Sequence, residues 1–160
     1  MNPSHTLAEA KHKIEHYCAY QERCHKEVVQ KLLQMGMIPA AIDQIMAGLI
    51  AENYLNEMRF AQSFARGKFR IKHWGKNRIK RELKARDISD YCIKAGLKEI
   101  DPQEYLASFH ILAEKKAASL SHLPLLQQKK KLSDYLLYRG WESHLIYDKA
   151  RELPFESNQN

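Results

Sequence analysis

The apolar positions of this chain form a pattern that recurs three times. Val28, Leu32, Met37 and Ile42 stand 4, 5 and 5 residues apart. Ile79, Leu83, Ile88 and Ile93 repeat those spacings 51 residues later, and Leu132, Leu136, Trp141 and Ile146 repeat them after a further 53. Gly36, Asp87 and Gly140 each stand just before the third apolar position. An apolar pair at i, i+4 marks the inner face of a helix. Gly or Asp after it suits a turn or a left-handed residue that ends the helix. The next apolar residue then enters the core at the turn. A second helix starts at Pro39, Ser89 or Ser143, or one residue earlier, and buries Ile42, Ile93 or Ile146. Pro suits a first helical turn and Ser an N-cap.

Each copy has a helix upstream. Thr6-Leu7-Ala8-Glu9 reads as a capping box, which starts a helix running from Leu7 to about Tyr20. A second upstream helix is expected from Asn53 to about Ile71, with Phe60, Ala61, Phe64 and Ala65 on its apolar face. Asp101-Pro102-Gln103-Glu104 opens the third with an acidic cap and Pro at its first position. No stretch alternates with period 2 for long enough to argue for a strand. The expected fold is all-α, with three tandem three-helix, helix-turn-helix-like repeats at 1–52, 53–100 and 101–153 and a C-terminal tail at 154–160. An elongated, slightly curved array is the architecture such repeats build.

Composition narrows the function classes. With 44% hydrophobic residues and only 6 Gly and 5 Pro in 160, the chain can bury a core and favours long helices. It carries no apolar run near the ~20 residues that cross a membrane and no charged-then-apolar leader. The expectation is a cytoplasmic monomer, with no membrane partner and with Cys18, Cys24 and Cys92 reduced. His12 and His16 sit at i, i+4 near Cys18, Cys24 and His25, but no tight Cys pair completes a zinc set. Phosphate loops, nucleophile elbows and HExxH motifs are absent. The chain reads as a binding protein rather than an enzyme, with no cofactor and no metal.

Charge supplies the strongest local signal. Ten of the 26 basic residues lie between Arg66 and Arg86, with one of the 19 acids, Glu82. The remainder holds 16 basic and 18 acidic residues, so the net +7 is a local feature. The block comprises Arg66, Lys68, Arg70, Lys72, Lys76, Arg78, Lys80, Arg81, Lys84 and Arg86, with Phe69 and Trp74 interleaved. Gly75 divides it between the end of one helix and the whole of the next, on which Ile79 and Leu83 point inward. Lys76, Lys80 and Lys84 then share one edge and repel one another, while Asn77, Arg78 and Arg81 fill the exposed surface. Phe69 and Trp74 are either core or a stacking contact beside the charges. Such a face fits a polyanion, bound with a steep salt dependence. Lys115, Lys116, Lys129, Lys130, Lys131 and Arg139 form a weaker basic set in the third repeat.

These residues also carry a resemblance. The run Arg59-Phe60-Ala61, Phe69-Arg70 and Trp74-Gly-Lys-Asn-Arg-Ile-Lys-Arg-Glu-Leu-Lys-Ala-Arg-Asp-Ile-Ser89 resembles the central motif of the bacterial RecX family of regulators. The segments Glu27–Leu33 and Asn53–Glu57, the length and the three-unit layout are similar too. The resemblance implies three tandem three-helix repeats that lie in the groove of the RecA filament on single- or double-stranded DNA. It implies modulation, mainly inhibition, of filament growth, strand exchange and the associated ATPase in DNA repair and the SOS response. The residues expected at the filament or its DNA are those of the basic block, Trp74, and Lys130 and Arg139 of the third repeat. One departure is Asp87, where the family often has Gly. Alternatives are a non-specific DNA-binding module and a helical adaptor for another acidic partner. A base-reading module is disfavoured because the basic helix precedes the turn rather than following it.

Overall fold

The computed structural model describes residues 5–155; the last five positions of the expected tail, 156–160, lie outside the described residues. Among the described residues there are nine helices and no strand. They are α1 (Leu7–Tyr20), α2 (His25–Gln34), α3 (Pro39–Ala51), α4 (Glu57–Lys72), α5 (Lys76–Ala85), α6 (Asp90–Leu97), α7 (Pro102–Ser119), α8 (Leu125–Tyr138) and α9 (Ser143–Arg151).

The recurring turn is one structure used three times. Gly36, Asp87 and Gly140 are left-handed, with φ of 83°, 60° and 91°. In each copy two backbone bonds close the helix end. Met37, Ile88 and Trp141 donate to the carbonyls of Leu32, Leu83 and Leu136 at 3.1, 3.2 and 3.1 Å. Gly36, Asp87 and Gly140 donate to Leu33, Lys84 and Leu137, each at 3.0 Å. This is the Schellman arrangement, which satisfies carbonyls that a helix end leaves free. Eleven of the twelve repeat positions are buried, and the twelfth, Met37, packs partly buried against the core. Other starts follow their sequences. The Thr6 and Asp101 side chains accept from the N–H groups of Glu9 (3.1 Å) and Glu104 (2.9 Å). Ser89 Oγ accepts from Cys92 at 3.3 Å.

One expected boundary is corrected. α4 begins at Glu57 rather than Asn53. Asn53 is left-handed (φ 64°) and closes α3, with Tyr54 donating to Leu49 at 2.8 Å. Asn56 Oδ1 then caps α4 by accepting from Arg59 N–H at 2.8 Å. Two asparagines suited to turn and cap geometry therefore replace one turn of helix.

The residues gather into two compact units, one of the chain up to Ser63 with Leu83–Gly96, the other of Phe64–Glu82 with the chain from Leu97. In the first, α1 packs on α2 and α3 around Ile14, Val28, Leu32, Ile45 and Leu49. The start of α4 joins it through Arg59, whose Nε donates to Glu22 at 2.5 Å. Glu57 accepts from Ser89 N–H at 2.9 Å, and Ala61 lies against Gly96 so closely that a Cβ there would stand 2.7 Å from the Ala61 oxygen. In the second unit α8 packs on α7 and α9. Its core centres on Phe109, Trp141, Leu132 and Leu136, all about fully buried, with Tyr105 and Phe69 beside them. The Tyr105–Trp141, Phe109–Trp141 and Phe69–Tyr105 ring centroids are 4.6, 5.3 and 5.7 Å apart, within the range of favourable aromatic pairing.

Candidate polyanion interface

The basic block lies on the end of α4, the α4–α5 turn and α5. No side chain at the N-cap position closes the start of α5, because position 75 is Gly. Three of its first N–H groups are satisfied from elsewhere in the second unit. Gly75 donates to the Arg139 carbonyl at 2.8 Å and Asn77 to the Gly140 carbonyl at 2.9 Å. Lys76 N–H donates to the Tyr105 hydroxyl at 2.9 Å. That hydroxyl in turn donates to Glu142 through a short hydrogen bond. Burial, followed by the bond to Glu142, pushes the Tyr105 phenol well above its ordinary range, so it stays protonated and keeps both roles. The contact needs two glycines: a Cβ on Gly75 would strike the Gly140 carbonyl, and one on Gly140 would strike Arg78. Gly75, Lys76 and Asn77 N–H are therefore engaged within the fold and not turned to an anion. The charge this face presents is carried by its side chains.

Several predicted cations have work inside the fold. Arg139 Nη1 donates to the Lys72 carbonyl at the end of α4 (2.6 Å), and Arg78 Nη1 to the Tyr138 carbonyl at the end of α8 (3.3 Å). Each arginine thus caps the negative end of the other's neighbouring helix. Arg78 was expected on the open surface; it is half-buried, its guanidinium 4.3 Å from the Trp74 ring centre and 4.8 Å from that of Tyr138. Lys68 Nζ lies over Trp74 at 5.1 Å and Lys76 Nζ over Tyr105 at 4.7 Å. Arg66 and Arg70 pair with Glu99 and Glu104, each at 3.4 Å, and Lys130 with Asp134 at 3.1 Å. In the first unit Arg86 stands 3.8 Å from Glu27.

What remains is a smaller set. The side chains of Lys72, Lys80 and Arg81 of the second unit, and of Lys84 of the first, are exposed and hold no hydrogen bond or ion pair among the described residues. Phe69 is core, whereas Trp74 is half-buried between Lys68 and Arg78, so the two aromatics of the block part company. Tyr138 (72% exposed) extends this cation–aromatic row, and Arg139 and Lys116 both lie over Tyr135, at 4.9 and 4.8 Å. The tyrosines were missed in the sequence. Their signal was Tyr135 and Tyr138 one turn and one residue before Arg139 on the same helix end.

Two of the three thiols, Cys18 and Cys24, are held in their protonated form. Burial pushes Cys18 up to about 11 and raises Cys24 as well, which disfavours the thiolate that ligation needs. Among the described residues no helix is long and apolar enough to cross a membrane.

Three-helix units with a Schellman turn between their last two helices define an all-α repeat protein of helix-turn-helix type. Residues 56–97 match the profile described as "RecX, second three-helix domain", and residues 103–149 that of "RecX, third three-helix domain". The chain belongs to the RecX family of regulatory proteins. It is 26% identical over 144 residues to Regulatory protein RecX of Bacillus cytotoxicus and 28% identical over 142 residues to that of Bacillus cereus. These matches cover 90% and 89% of this chain and 53% of each relative, so the chain spans about half the length of the curated relatives it matches. The crystal structure of RecX from Lactobacillus salivarius is similar at 26% identity and a TM-score of 0.78, over 92% of this chain and 96% of that one. A second structure of regulatory protein RecX shares the fold at 20% identity, with a TM-score of 0.81 over 91% of this chain and 73% of that one.

Proposed function

We propose that this chain binds RecA and the RecA–DNA nucleoprotein filament as a cytoplasmic monomer and modulates, mainly by inhibiting, its recombinase and ATPase activities in DNA repair and the SOS response. The observation that carries the reading is the set of unpaired cations Lys72, Lys80 and Arg81 beside the Lys68–Trp74–Arg78–Tyr138 row. A cation already held in an ion pair must give up that partner to bind phosphate; these three need not. The stacked row keeps its charges in place over rings and adds faces on which an unpaired base can lie. The action is binding rather than chemistry, and it needs no cofactor.

A second reading, direct and non-specific DNA binding, is favoured by the same stacked row. Sequence-specific reading is not supported. The helix after the turn, α6, starts with Asp90, and Cys92, Ile93 and Gly96 on it are buried.

The test is RecA ATPase and strand exchange with this protein added. Inhibition is expected, and Lys72→Glu, Lys80→Glu and Arg81→Glu together are expected to weaken it at least about tenfold and to lower the slope of log affinity against log salt by roughly 2 if single-stranded phosphates are the contact. Unchanged ATPase at several-fold excess of folded protein would sink the proposal. A lost salt slope on naked DNA with full RecA inhibition would favour the second reading for this face.

A further inference from the structure

The line where α8 meets α9 in the second unit carries a groove that the basic face does not include. Its volume is about 650 Å³. Ser133 and Ala150 line it with small side chains, Leu126 and Tyr147 with large ones. Both large side chains are exposed, Leu126 at 80% and Tyr147 at 65%. Leu126, Lys129, Lys130 and Ser133 follow helical spacing along α8, and Tyr147, Ala150 and Arg151 along α9, so the groove has the length of about two helical turns.

Its charge is one-sided. Lys129, Lys130 and Arg151 line it, and no carboxylate among the described residues does. Lys130 is matched by Asp134 outside the groove at 3.1 Å. Glu152 on α9 turns instead to Lys149, at 3.6 Å. Lys129 and Arg151 remain, the latter 5.5 Å from the Tyr147 ring. An apolar trough rimmed by cations suits an occupant with large apolar anchors flanked by acids. Phosphate backbone would gain the rim but nothing from Leu126, Ala150 and the Tyr147 ring. A concave trough is also a poor fit to a flat lipid surface.

We propose that the α8–α9 groove docks an acidic protein segment bearing large apolar anchors, so that the second unit holds a protein partner here and a polyanion on its basic face. That partner is RecA if the function proposed above is correct.

The experiment places the photo-reactive residue p-benzoylphenylalanine at position 147 in one sample and at position 80 in another. Each is irradiated with RecA filaments on single-stranded DNA. Cross-linking from position 147 to a RecA segment rich in acidic and apolar residues is expected. Leu126→Asp, which adds an acid at an exposed site and leaves the core untouched, is expected to cut that yield about tenfold, and Lys129→Glu with Arg151→Glu to do likewise. Circular dichroism of each variant checks that the fold survives. Cross-links from position 80 but none from 147, or links from 147 to DNA alone, would overturn the groove proposal and leave the RecA reading standing. Absence of both, with no effect on ATPase, would overturn both. Binding to phosphatidylglycerol vesicles that Leu126→Asp abolishes would reassign the groove to a membrane and overturn it too.

Discussion

At its C-terminal end α5 is closed by residues next to it in sequence. Leu83 and Lys84 supply carbonyls, Asp87 the left-handed residue, and Ile88 the apolar contact that follows. At its N-terminal end nothing local does the same work. Gly75, Lys76 and Asn77 donate to groups that lie 29 to 64 positions away in the chain, on Tyr105, Arg139 and Gly140. A local closure tolerates change at one residue, because one backbone conformation is at stake. A tertiary closure ties several elements to one point, so a single added methyl group is felt by all of them.

The largest expected effect breaks the tertiary end. Gly140→Ala forces a side chain into a backbone with φ of 91° and drives its Cβ into Arg78. Strain and overpacking together are expected to cost about 4 kcal/mol, read as a fall in the urea midpoint. Gly67→Ala is the control. It lies within α4 with open space around its Cβ position, and a gain of about 0.5–1 kcal/mol is expected there. Equal effects at the two glycines would refute the tertiary role.

A gentler break is Tyr105→Phe, which keeps the aromatic packing and removes the acceptor for Lys76 N–H and the donor for Glu142. A loss of roughly 1–3 kcal/mol is expected by chemical denaturation, with faster amide exchange at Lys76. The exchange result distinguishes a lost cap from general loosening.

The smallest effect falls at the local end. Asp87→Gly keeps the turn and removes the cost of a side chain at φ 60°. A gain of up to about 1 kcal/mol is expected. The ion pair it gives up, Asp87 with Lys26 at 3.8 Å, joins two well-exposed side chains, one of them 78% exposed, and is worth close to nothing in stability. A measured loss would mean that the carboxylate does more than the turn requires.

The same division governs the basic face. Leu83, Ile79 and the charges around them identified the helix and its outer side, because an i, i+4 apolar pair fixes which way the rest of a helix points. Which charges stay free was not legible. Arg78 and Lys80 look alike in sequence, yet Arg78 lies between Trp74 and Tyr138 while Lys80 has no partner among the described residues. Trp74 and Phe69 were equally ambiguous until one proved half-buried and the other core. The groove between α8 and α9 left no mark in the repeat, since it depends on small residues, Ser133 and Ala150, meeting across two helices.

The sequence alone determined the order of the helices, the three turns, the buried repeat positions and the location of the excess charge. Those depend on residues within a few positions of one another, whose spacing and backbone preferences are read directly. Tertiary structure alone decided how α5 starts, which arginines cap other helices and which cations are left over for a partner. Those outcomes depend on groups far apart in the chain meeting at hydrogen-bond distance, and nothing in the local pattern encodes that meeting.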